Sequence, residues 1–173
     1  AFNACLHPFI RNAVGCMEFG GCFLNKRLNR NNDGGTTRRT TDIFQLATTV
    51  LFQNPVQNFA LAPNNLKDVS PVCMDYMKTV PTTWDETCFI DGYPGKYVVL
   101  ARRHGNTWYL AAVNAGKEIV KLKLDLDMFA GKTVSLYKDD KKGEPQLVTL
   151  KVKESGKVQL EILPQGGVVL VNN

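Results

Sequence analysis

Histidine is nearly absent: His7 and His104 are the only two in 173 residues, and no Ser/His/Asp order or Cys/His pair stands out around them. Nucleophilic catalysis of the familiar kinds therefore has little to stand on. His7 precedes Pro8 and His104 lies in a polar connection, so both read as structural or surface groups. The cysteines Cys5, Cys16, Cys22, Cys73 and Cys88 are odd in number and lack CxxC spacing, which argues against a disulfide framework or a zinc site and for buried free thiols. No apolar run approaches the roughly 18 to 20 residues of a membrane span. The first ten residues, AFNACLHPFI, also lack the basic-then-apolar layout of a signal peptide. With no initiator Met, the chain reads as one that begins inside a larger protein. Charge is not concentrated either. Residues 1–80 carry 8 Lys/Arg against 5 Asp/Glu and residues 81–173 carry 13 against 11, so the net +5 forms no basic face and no nucleic-acid partner is expected.

What is present is a globular composition, 44% apolar and 21% charged, with a change of texture near Thr79 to Thr83. Before it, the patch from Cys16 to Leu24 suits a short buried strand with Glu18 inside it, and Asn25 to Thr41 is a long polar, Arg-rich loop. Thr40 or Thr41 caps a helix whose Ile43, Leu46, Ala47, Val50 and Leu51 share one face, and Asn54-Pro55 stops it. Val56 to Leu61 reads as a second buried strand, and Pro71 to Lys78 as a short helix with Pro at its first position. Strand, loop, helix, strand, helix is the alternation of a parallel α/β sheet or barrel. Two strands cannot close one, so residues 1–80 are expected to be the incomplete C-terminal end of a (β/α)8 barrel.

The second half is expected to be all-β. Two apolar runs, Tyr97 to Ala101 and Trp108 to Val113, are joined by Arg-Arg-His-Gly-Asn-Thr, a hairpin connection. Alternating runs follow at Val120 to Leu126, Thr133 to Tyr137, Val148 to Val152 and Val158 to Ile162, with a final run Val168 to Val171 and an early one at Thr87 to Ile90. About eight short strands at this spacing predict an antiparallel β-sandwich over residues 81–173.

Few residues carry chemistry. A carboxylate at a barrel strand's end faces the active-site mouth, which makes Glu18 the candidate substrate-binding residue, at the rim of a site; pairing with Arg11 or Arg27 is the plainer role. Asn29, Asn31 and Asp33, with Gly34, resemble the start of a calcium loop, but Thr40 stands where a bidentate Glu is required, so no metal ligand is assigned. Trp84 beside Asp85 and Glu86 invites sugar stacking, although a Trp at a domain junction more often anchors an interface.

The stretches NAVGCMEF (12–19), TTDIFQLATTVLFQNPVQNFALAPNNL (40–66), PTTWDET (81–87), DGYPGKYVVLARR (91–103) and TWYLAAVNA (107–115) resemble the C-terminal part of glycoside hydrolase family 97. The resemblance implies the end of a catalytic (β/α)8 barrel followed by a C-terminal β-sandwich. It implies a calcium-dependent exo-acting α-glucosidase or α-galactosidase, periplasmic or secreted, with an oligosaccharide substrate and the upstream part of the same barrel as partner. It also implies that the catalytic residues lie upstream and are unknown here, and that the chain alone is inert, since glycoside hydrolysis needs two carboxylates and Glu18 is one. The alternative from a different class is a non-catalytic carbohydrate-binding or oligomerisation sandwich.

Overall fold

The computed structural model describes residues 1–19, 22–27, 34–61 and 63–172, the side chains of Asn64 and Asn65 excepted. After two short 3-10 turns and one helical turn, α1 (Arg11–Val14), a strand β1 (Cys22–Phe23) leads through the long loop to helix α2 (Asp42–Leu51). Strand β2 (Phe59–Ala60) then pairs parallel to β1, with Cys22 opposite Phe59 and Phe23 opposite Ala60, so β1-α2-β2 is a βαβ unit. Helix α3 (Pro71–Met77) closes this half. The expected order of elements holds, but both strands are only two residues long. Residues 17–19 carry no strand pairing, which leaves Glu18 outside β1.

Helix α2 forms where its sequence directs. The Thr41 side chain accepts a hydrogen bond from Phe44 N at 3.1 Å, satisfying one orphan donor of the first turn, and Asp42 sits at the positive end of the helix dipole. Eight of its ten residues are buried, including Thr48 and Thr49, whose hydroxyls bond back to Gln45 O and Leu46 O. A helix apolar on nearly all sides must be covered on nearly all sides. Here β1 and α3 lie against it, and strands of the second half cover the rest.

Those strands form an antiparallel sandwich. Six of them, in the order β3-β4-β5-β10-β7-β8, make one sheet: β3 (Glu86–Tyr93), β4 (Tyr97–His104), β5 (Thr107–Asn114), β7 (Thr133–Asp139), β8 (Pro145–Lys151) and β10 (Gly167–Asn172). The pair β6 (Val120–Asp125) and β9 (Lys157–Ile162) makes the second. The larger sheet serves two cores. Val98, Leu100, Tyr109, Ala111, Val113 and Val169 face Ile43, Phe44, Leu46, Ala47 and Val50 of α2. Val99, Ala101, Leu110, Ala112, Val168 and Leu170 face Leu122, Leu124, Val158, Leu160 and Ile162 of the smaller sheet. Strands covered on both faces lose their polar alternation, which is why β4 and β5 read as continuous apolar runs. β6 and β9, wet on one face, alternate cleanly.

The β4–β5 connection is shorter than its polarity implies. Arg102, Arg103 and His104 belong to β4, and only Gly105 and Asn106 turn the chain. Gly105 has φ 58°, a conformation glycine adopts without steric cost, and it occupies the first central position of the two-residue loop.

Candidate functional site

Glu18 lies in an extended, irregular segment beside the chain that leaves α2. Met17 N donates to Gln53 O at 2.9 Å and Cys22 N to Asn58 O at 2.9 Å, so Met17 and Cys22 meet the 53–60 segment in the same direction. Glu18 is therefore on the N-terminal side of β1, at the opposite end of the ribbon from the long loop. Active sites of (β/α) barrels sit where strands end. The Glu18 side chain is exposed and lines an open concavity of about 940 Å³ with Arg11, Cys16, Met17, Asn54 and Val56. Among the described residues Glu18 is the single carboxylate in that lining, and glycoside hydrolysis requires a pair.

Asn29, Asn31 and Asp33 of the calcium-like segment lie outside the described residues. The described arms of the loop are tied down: Arg38 donates to Asn25 O at 3.2 Å, to Thr40 O and to the Asp42 carboxylate. Among the described residues no three His, Cys, Asp or Glu side chains converge where a metal ion could be held.

The cluster around Trp84 resolves into structural roles. Trp84 packs edge-on against Tyr109, with ring centroids 5.3 Å apart, at the margin of the core shared with α2. Asp85 and Glu86 are taken up by Arg103, at 3.6 and 3.3 Å, and Asp85 also accepts from Gly105 N. His7 stacks edge-on against Phe52 and His104 Nδ1 lies 2.9 Å from Thr83 O. All five cysteines are free; Cys5, Cys22 and Cys73 are buried, Cys88 is half-buried and Cys16 is exposed. Burial raises the thiol pKa of Cys5 to about 11 and of Cys73 to about 12, so neither is a nucleophile at neutral pH.

A carboxylate whose pKa is raised by burial is Asp139, at the end of β7, which the sequence did not single out. Its Oδ2 accepts from Thr41 Oγ1 at 2.8 Å and from Gly167 N at 3.0 Å, so one side chain joins the cap of α2, β7 and the start of β10. Burial raises its pKa to about 6 against those two hydrogen bonds, which lower it, and nearby Asp42 and Asp140 push in the same direction as burial. Arg102, also missed, is 3% exposed and donates from Nη2 to Leu51 O, the last carbonyl of α2, at 3.2 Å. The register Val98, Leu100, Arg102 was the signal that could have placed it on the face toward α2.

A βαβ unit with its helix roofed by a two-layer antiparallel sandwich, and with one exposed carboxylate in its concavity, defines the terminal units of a (β/α) barrel followed by a C-terminal β-sandwich. Comparison with known proteins sharpens that class. Residues 83–171 match the family model described as "Glycosyl-hydrolase 97 C-terminal, oligomerisation". The crystal structure of a β-arabinopyranosidase superposes on 99% of the chain with a TM-score of 0.97 and 84% identity, the match covering 27% of that protein. A glycoside hydrolase family 97 enzyme from Pseudoalteromonas sp. strain K8 superposes with a TM-score of 0.82 and 26% identity, covering 99% of this chain and 28% of that one. A retaining α-galactosidase of Bacteroides thetaiotaomicron is 27% identical over 94% of this chain and 26% of its own length. The chain belongs to glycoside hydrolase family 97, and it spans about a quarter of the length of these relatives.

Proposed function

We propose that this chain supports catalysis in an exo-acting glycosidase that releases terminal β-arabinopyranosyl or α-galactosyl units, the sandwich bracing the barrel through α2. The observation that carries the reading is the 84% identity, over 99% of the chain, to a β-arabinopyranosidase. The α-galactosidase relative supports the same chemistry. A β-L-arabinopyranoside has the ring hydroxyls and anomeric bond of an α-D-galactopyranoside without its hydroxymethyl group, so one kind of site serves both and a pocket wall chooses between them. An α-glucosidase, also within the family resemblance, requires the inverted C4 hydroxyl and is the second expectation. Calcium dependence and export to the periplasm belong to the same proposal and rest on the family resemblance.

A bracing role is favoured over sugar binding by the sandwich because Tyr97, Trp108, Tyr109 and Tyr137 all pack into its two cores rather than forming a platform. The family's description supports a second copy of the protein as a partner of residues 83–171. The test is hydrolysis of 4-nitrophenyl β-L-arabinopyranoside, α-D-galactopyranoside and α-D-glucopyranoside by a full-length protein carrying this chain. The first two are expected to be turned over with the highest kcat/KM; preference for the glucoside, or turnover of none, contradicts the proposal.

A further inference from the structure

We infer that the small cavity beside Trp84 and Arg102 is a binding site for a carboxylate or similar oxyanion. The cavity holds about 190 Å³, and its lining includes Gln53, Thr82, Thr83, Trp84, Thr87 and Arg102. That is below the roughly 300–1,000 Å³ of pockets for drug-sized ligands and suits a group of a few heavy atoms.

Two of its lining groups are donors without acceptors. Arg102 is 97% buried, taking its 3% exposure from unity, and while Nη2 is used by Leu51 O, its Nε has no partner among the described residues. Trp84 Nε1 is buried and likewise has none. No described carboxylate pairs with Arg102. The acids nearest in sequence, Asp85 and Glu86, are engaged by Arg103 on the other face of β4. Desolvation lowers the guanidinium pKa only to about 10, so Arg102 is a buried cation at neutral pH.

A buried cation needs opposite charge as well as hydrogen bonds. The carbonyl at the end of α2 supplies a partial negative charge. A water in the cavity would satisfy an N–H but supply no charge. An oxyanion does both, accepting from Arg102 Nε and Trp84 Nε1 in charge-assisted bonds, and the threonine hydroxyls in the lining are further donors. The acceptor has two possible sources with the same chemistry: a free small anion, or an Asp or Glu side chain from another segment of the full-length protein.

The test uses full-length protein in two arms. In the first, inorganic phosphate and then acetate are titrated at constant ionic strength while the thermal midpoint is followed. A free-anion site raises the midpoint with concentration. Trp84→Phe, which keeps the ring against Tyr109 and removes one N–H, weakens the apparent affinity about tenfold. Arg102→Met abolishes the response; if Arg102→Met does not fold, the Trp84→Phe result stands alone. In the second arm, a crystal structure grown without added oxyanions shows a protein carboxylate against Arg102 Nε and Trp84 Nε1 if the source is internal. Either outcome supports the inference and names the source. A cavity that holds only water, in a protein whose midpoint ignores both anions, overturns it.

Discussion

Asp139 shows how much one side chain decides at the contact between helix and sheet. Its carboxylate accepts from Thr41, which itself caps α2, and from Gly167 N. The folded protein holds the carboxyl proton up to about pH 6, whereas the unfolded chain releases it near 3.8. The native state therefore binds more protons in this interval, and stability falls as pH rises from about 4 through 6. The loss has an upper bound of about 3 kcal/mol, at roughly 1.4 kcal/mol per pH unit. Asp139→Asn is expected to flatten that slope, measured as urea unfolding free energy at pH 4, 5, 6 and 7 in both proteins; parallel curves would contradict the assignment. Thr41→Ala is expected to cost about 1 kcal/mol through the lost cap. It also moves the Asp139 slope to higher pH, because the hydroxyl favours the charged form. Neither residue was legible beyond its local role. Thr41 was one of two candidate caps, and its bond to a residue 98 positions away is set by tertiary packing.

Among the elements, α2 and the alternating strands were the clearest in the sequence, because a periodic face is a local signal. β6 and β9 alternate, and the Thr41 cap and Asn54-Pro55 stop bracket the helix. The two-residue strands β1 and β2 were read too long, since an apolar run records burial and not pairing. Glu18, expected inside the first of these strands, lies outside it and is exposed, and among the described residues no second acid lines its concavity. The Pro164 to Gly167 stretch carried no signal of its own in the sequence, yet Gly167 is where β10 meets α2. A Cβ there would stand 2.7 Å from Phe44 Cα and 2.8 Å from Ile43 O, both backbone atoms that cannot rotate away. Gly167→Ala is expected to destabilise the protein by about 1–3 kcal/mol, read from the denaturant midpoint at unchanged slope. An unchanged midpoint would mean that the contact is looser than described.

For the whole molecule, the larger sheet couples the two halves. One of its faces closes the sandwich core and the other covers α2, so the change of texture near residue 80 is a boundary along the chain but not between cores. Residues 83–171, which match the family model, would by themselves expose Val98, Leu100, Tyr109, Ala111, Val113 and Val169. Expressed without residues 1–82, they are expected to bind a hydrophobic dye or to aggregate where residues 1–173 do not. Residues 1–173 alone are expected to show no turnover of aryl glycosides, because the concavity at Glu18 has one acid; measurable hydrolysis would contradict this. The central claim is that the chain braces the site rather than performing the chemistry. Its most direct test is Gly167→Ala in the full-length enzyme, with the unfolding midpoint and kcat/KM on its best aryl glycoside measured together, well below that midpoint. The account predicts a lowered midpoint with kcat/KM within about twofold of the parent. A kcat/KM reduced more than tenfold at an unchanged midpoint would contradict it.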